Sequence, residues 1–242
     1  MRARQRHFNA AGLGAKLVLD ARFISGKNDG DAVDSWSDIS GSANNASQAT
    51  AAARPTYKTA IQGGQPVVRF DGGDVVSGSI SASNSAMTVF CVFKQTTGVR
   101  FAGLLVGHIG GNTNDYSDGF LYTAEFDGAT RDIAWGPGNA PLTYLYVDTD
   151  ISSFNISSAT RSGTSGVAYK NAVQVATGTV AADTDTLAGY VVGGRYLGGA
   201  VSSLYRMNGD IAYTAYLPSS LSASARLRVE RGMALSFKIA CS

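Results

Sequence analysis

Covalent chemistry has few places to reside in this chain. Among 242 residues there are two glutamates, Glu125 and Glu230, two histidines, His7 and His108, and two cysteines, Cys91 and Cys241. Hydrolysis of a glycosidic bond with retention takes two carboxyl groups about 5 Å apart. Along a strand, alternate residues share a face. Asp127, in "AEFDG", stands two residues after Glu125 and is the one acid so placed, and a strand end entering a turn is the better account of it. Glu230 lies in a helical C-terminal segment. The expectation is that the protein is not an enzyme of this kind.

Other reactive arrangements are thinner still. His7 sits in an N-terminal arm, and His108, in "LLVGHIGG", reads as a histidine at the end of a strand. There is no G-x-S-x-G, so a serine nucleophile lacks its usual turn. "GGRYLGG" has neither the spacing nor the lysine of a phosphate-binding loop. Cys91 lies in the apolar run "TVFCVFK", as a buried free thiol would, and no disulfide with Cys241 is expected.

Binding groups are better represented. "GGNTNDYSDG" carries Asn112, Asn114, Asp115 and Asp118, an oxygen-rich set that suits calcium, which takes six to eight oxygen ligands. Asn and Asp in tight turns are the competing explanation. Calcium is the only cofactor the sequence suggests. Sugar recognition needs an aromatic face with planar hydrogen-bonding groups beside it. Trp135, with Asn139 close by in "DIAWGPGNAP", and Tyr116 in the Asn/Asp loop are the candidates, whereas Trp36 reads as core.

Charge narrows the partners. Arg2, Arg4 and Arg6 fall in the first eight residues; of the 20 basic residues 17 remain beyond them, against 18 acidic ones. A near-neutral body argues against nucleic acid. No apolar run reaches the length of a signal peptide or of a membrane span, so no membrane partner is expected. The arm (residues 1–8) reads as an assembly contact, with a solvated terminus as the competing account, and residues 9–242 as one domain.

The elements that must position these groups are strands. Gly is frequent (29), charged residues make up 16%, and Tyr and Phe (11 and 10) supply the apolar area. "KLVLDARF", "PVVRFDG", "MTVFCVFK", "FAGLLVGHIG", "GFLYTAEFD", "DIAWG", "LTYLYVD", "GVAYKNAVQVATGTV" and "LAGYVVGGRY" are strand segments punctuated by Gly, Asn, Asp and Pro. "NGDIAYTAYL" is a last strand, broken by Pro218. Ser222 is placed to cap a helix whose apolar stripe is Ala225, Val229, Met233 and Phe237, with Arg226, Glu230 and Ser236 on other faces. The expected fold is all-β: one antiparallel sandwich with a short C-terminal helix.

Several motifs, in order, resemble the concanavalin A-like lectin/glucanase jelly rolls, in their laminin-G-like branch. They are "GDAVDSWSDISGSANNASQATAAARPTY", "GGQPVVRFDGGDVV", "TVFCVFK", "YKNAVQVATGT" with "VVGGRY", and the ending Gly209–Tyr213, Leu221–Ser222 and "RLRVERGMA". The resemblance makes Gly41–Arg54 a loop inside the domain. It implies sugar-binding modules, enzymes, or stand-alone proteins encoded by bacteriophages. A chain without a leader is most similar to the last. That reading makes it a non-enzymatic capsid or tail component, assembled in the host cytoplasm. Its partners would be other virion proteins, further copies of itself and host-surface glycans. A free lectin-like module is the alternative, and a glycan-cleaving enzyme the third.

Overall fold

A computed structural model describes residues 10–97, 101–111, 113–126, 131–138, 145–148, 150–181 and 184–241. For residues 125–126, 131–135, 137–138 and 146–148 the backbone alone is described. The strands of the first third are β1 (Leu17–Asp20), β2 (Ser35–Trp36), β3 (Ala46–Ser47), β4 (Thr56–Gln62), β5 (Gln65–Asp71) and β6 (Val76–Ser83). Next come β7 (Ala86–Thr97), β8 (Ala102–His108), β9 (Gly119–Phe126), β10 (Arg131–Gly138), β11 (Leu145–Asp148) and β12 (Asn155–Ser162). The last are β13 (Ser165–Lys170), β14 (Val173–Thr179), β15 (Thr186–Val192), β16 (Tyr196–Leu197), β17 (Ala200–Val201) and β18 (Asn208–Leu217), followed by helix α1 (Ala223–Phe237).

They form two antiparallel sheets packed as a sandwich. The first runs β14-β13-β12-β7-β18-β5-β4, with β1 on β18 beyond the end of β5. The second runs β11-β10-β9-β8-β15-β6-β3-β2, and β16–β17 is a separate ribbon. Trp36, Phe70, Cys91, Phe93, Tyr122, Tyr190 and Tyr216 fill the core between the sheets.

Strand β7 shows why the sequence lacks simple alternation there. Met87, Val89, Cys91 and Phe93 belong to the core, while Phe90 and Val92 pack under α1 with Val229, Met233 and Phe237. A strand covered on both faces reads as a continuous apolar run. Cys91 is fully buried and free, and burial pushes its thiol far above the ordinary range.

The helix begins as its sequence predicts: the Ser222 hydroxyl accepts from the Ala225 N–H at 3.3 Å. One expectation is corrected. Arg226 and Glu230 are buried, not turned away from the sheet. They pair with each other, Ser158 donates to Glu230 at 2.5 Å, and the Arg226 guanidinium lies 3.5 Å from the Tyr169 ring centroid. A self-neutralising pair with a hydroxyl partner tolerates burial that neither charge tolerates alone.

The outer face of the second sheet is also covered. Val106 on β8, Leu121 on β9, Val191 on β15, Val75 and Tyr196 form a small apolar cluster, with Phe101 and Val201 packed against it. Tyr196 and Val201 belong to the ribbon, so the chain between β15 and β18 lies across this sheet.

Candidate functional site

That crossing segment presses directly onto β8. A Cβ at Gly103 would lie 1.9 Å from the Gly194 carbonyl oxygen, so only glycine permits the approach. Just beyond, Arg195 reaches Asp115 through two parallel hydrogen bonds, Nε to Oδ2 at 2.8 Å and Nη2 to Oδ1 at 2.7 Å. The Tyr196 N–H adds a third bond to Oδ2 at 2.8 Å. Burial pushes the Asp115 carboxyl up; the guanidinium and the backbone N–H groups pull it back.

The loop of residues 109–118 is fastened here. The Tyr196 hydroxyl donates to the carbonyls of Gly111 (3.1 Å) and Gly199 (2.8 Å). Its ring stacks on His108, with centroids 3.6 Å apart and planes within 2°. His108 Nδ1 accepts from the Gly110 N–H at 3.1 Å, and burial lowers the pKa of the ring. His108 therefore holds a loop, in keeping with a histidine at a strand end.

The same contacts account for the residues read as calcium ligands. Asp115 has both oxygens taken by Arg195, whose charge stands where a cation was expected. Asn114 Oδ1 accepts from the Gly198 N–H at 2.8 Å, and Asp118 accepts from the Ser117 hydroxyl at 2.6 Å. Asn112 lies outside the described residues. Among the described residues no three His, Cys, Asp or Glu side chains gather as a metal site.

Arg195 also links two tyrosines. Its guanidinium carbon is 6.0 Å from the Tyr116 ring centroid and 5.7 Å from that of Tyr205. Tyr205 adopts a left-handed backbone, φ 60°, fixed by the Gly103 N–H donating to its carbonyl at 3.2 Å. A bulky residue in that region is strained, and such strain tends to gather where a site is held in shape. The result is an apolar lip: Leu204 is 62% exposed and Tyr205 36%.

The lip borders a depression of about 410 Å³ whose other walls are Gly72, Thr97, Ser203, Arg206 and Asn208. Arg206 Nε donates to the Ser202 carbonyl at 3.0 Å, and Nη1 to that of Gly73. Asn208 Nδ2 donates to the Asp71 carbonyl at 3.2 Å. Asp74 stands beside Gly72 and is buried, which raises its pKa to about 6. Asn208 also lines a second depression, of about 330 Å³, shared with Arg69, Lys94 and Thr96 on β5 and β7. An aromatic and an aliphatic side chain beside an amide, a guanidinium and a hydroxyl can receive the C–H face and the hydroxyls of a sugar ring.

Of the predicted sugar-binding residues, Tyr116 lies 6.0 Å from the buried Arg195 guanidinium and lines neither depression. Trp135 lies on β10 opposite Tyr122 and Leu145, two residues of the core. Asn139 lies outside the described residues, as do Arg2, Arg4, Arg6 and Asp127. Leu204, Tyr205 and Asn208 were not anticipated. "SSLYRMN" carries no turn or aromatic signature that separates it from packing; the exposed "LY" pair was its only cue.

Strand register adds an acidic row. Glu125 on β9 stands directly opposite Asp132 on β10, and Asp132 opposite Asp148 on β11. Directly opposed positions of an antiparallel pair lie about 4.5–5.5 Å apart at Cβ. Searching for a partner along the strand of Glu125 cannot find one that pairing supplies from the next strand.

No protein-family model matches the chain, and no curated protein matches it. Solved structures do. An arabinofuranosidase complexed with arabinofuranosyl-α-1,2-xylobiose superposes with a TM-score of 0.63 at 13% identity, over 85% of this chain and 51% of that one. The chain thus spans about half the length of that enzyme. Domain 4 of AbnA, a GH43 extracellular arabinanase from Geobacillus stearothermophilus, solved with arabinotriose, gives 0.59 at 13% identity, over 90% of this chain and 98% of that one. The CBM40 of the Ruminococcus gnavus IT-sialidase, bound to α2,3 sialyllactose, gives 0.50 at 15% identity, over 71% and 98%. At these identities the likeness establishes the fold: an all-β antiparallel sandwich of the lectin-like jelly-roll kind with one C-terminal helix.

Proposed function

We propose that the protein recognises carbohydrate without cleaving it, and that the Leu204–Tyr205 lip with Asn208 and Arg206 is where a sugar ring rests. The observation that carries this is an exposed Leu-Tyr pair held in a strained backbone beside planar polar groups. Binding modules among the structures of like fold support it. A glycan array with the full chain tests it. Binding to a defined glycan class that falls at least about tenfold with Tyr205→Ala supports the reading, since losing an aromatic anchor costs about 2 kcal/mol or more. Binding unaffected by that change places recognition elsewhere.

A second reading, glycan cleavage, is favoured by one observation, the register of Glu125 opposite Asp132. Release of reducing sugar that disappears with Glu125→Gln would establish it.

The sequence suggests a setting. We read the arm carrying Arg2, Arg4 and Arg6 as an assembly contact in a phage particle, where the cleft would meet host-surface glycans. Loss of incorporation on deleting residues 1–8, with an unchanged melting temperature, supports this; retained incorporation counts against it.

A further inference from the structure

The second depression has a charge that its own residues do not neutralise. Asp210, on β18, pairs in register with Arg69 on β5 and with Lys94 on β7. Three neighbouring strands thus carry the row Arg69–Asp210–Lys94. Arg69 Nε meets Asp210 Oδ1 at 2.7 Å and Nη2 meets Oδ2 at 3.0 Å; Lys94 Nζ lies 3.4 Å from Oδ2. The carboxylate side chain is 1% exposed, whereas Arg69 is 42% and Lys94 27% exposed. The negative charge is therefore inside, and the two positive charges reach the depression.

Nearby acids do not cancel the surplus. Asp29 is engaged by Lys58 at 2.5 Å and by the Thr59 N–H at 2.9 Å. Asp71 pairs in register with Asn208 and accepts from the Gly73 N–H at 2.7 Å, and Asp74 is buried; the Arg206 guanidinium, bonded to the Gly73 carbonyl, is the cation beside them, and neither acid lines the second depression. Lys94 also faces the Phe154 ring, 5.2 Å from its centroid, which leaves its charge intact. A ligand crossing Asn208 would meet an apolar lip at one end and excess positive charge at the other.

We infer that Arg69 and Lys94 form an anion subsite, and that the protein selects saccharides carrying a carboxylate. This rests on the glycan-binding reading above. The guanidinium fork suits a planar carboxylate, and Thr96 and Asn208 offer neutral groups to the adjoining hydroxyls.

Titration calorimetry of the full chain tests it, with α2,3-sialyllactose and trigalacturonate as carboxylated probes and lactose and cellotriose as neutral ones. The carboxylated probes should bind at least about tenfold tighter, and the preference should shrink as salt rises. Lys94→Gln should remove most of the preference with the melting temperature held within about 2 °C, because Arg69 still satisfies Asp210. The double variant Arg69→Gln/Asp210→Asn, which removes the charged pair together, should do the same. Equal binding of both probe classes, still lost with Tyr205→Ala, overturns the subsite and leaves the glycan-binding reading standing. A preference that survives Lys94→Gln and the double variant also overturns it. Binding to none of the probes and to no arrayed glycan overturns both.

Discussion

Arg195 and Asp115 meet fork to fork, with side chains only 5% and 0% exposed, and that contact ties together two stretches of chain far apart in sequence. Asp115 belongs to the loop after β8. Arg195 opens the segment that crosses the second sheet. Tyr205, 5.7 Å from the guanidinium carbon, ends that segment at the cleft. A buried pair of this sort is costly to break from one side. Arg195→Ala should destabilise the protein by about 3–5 kcal/mol in chemical denaturation, because it leaves Asp115 buried and unpaired. The double variant Arg195→Met/Asp115→Leu should recover much of that loss.

The close crossing at Gly103 makes a sharper test of how the cleft is positioned. Gly103→Ala would bring a methyl carbon to 1.9 Å from the Gly194 carbonyl, so backbone must move. The expected cost is at least about 2 kcal/mol, since the neighbour is main chain and not a flexible side chain. Glycan affinity should fall with it, because the Gly103 N–H also holds the Tyr205 carbonyl.

Asp74 gives a signed dependence on pH. Its carboxyl titrates at about 6 in the fold, raised chiefly by burial, against 3.8 ordinarily. Between those values the folded chain keeps a proton that the unfolded chain has released. This group's contribution to stability is therefore full below pH 3.8 and is lost as pH rises through about 6. Asp74→Asn can keep the bond from the Asp71 N–H, 3.1 Å in the parent, yet has no charge to bury. Its melting temperature should exceed the parent's above pH 6 and show no such advantage at pH 3.8.

Much of the scaffold was legible because its signals are local. Ser222 capping α1, the both-faces-buried run of β7, the buried Trp36 and the strand through Gly209–Tyr213 all stand where their residue types place them. Strand β12, "NISSATRS", gave no apolar pattern although it is buried along most of its length. Its polar side chains are spent inward: Ser157 bonds to Tyr122 across the sandwich, and Ser158 to Glu230 under the helix. Strand β4, with Thr, Lys and Gln among its seven residues, and β6, with four Ser and a Gly among its eight, were passed over for the same lack of apolar contrast.

The site was less legible because it is made by pairing. Neither Asp115 with Arg195 nor Asp210 with Arg69 and Lys94 is close in sequence; register and crossing connections bring them together. The acidic row of Glu125, Asp132 and Asp148 has the same origin. Tyr205 depends on a backbone conformation that side-chain identity does not announce.

Tyr205→Gly and Tyr205→Ala, compared by titration calorimetry and thermal melting of the full chain on the best glycan from an array, test the central claim most directly. Glycine relieves a left-handed conformation that costs other residues about 1–2 kcal/mol, so its melting temperature should stay near the parent's. Both variants should lose at least about tenfold in affinity. Unchanged affinity in both, or release of reducing sugar that requires Glu125, would contradict a protein that recognises carbohydrate at this cleft and leaves it whole.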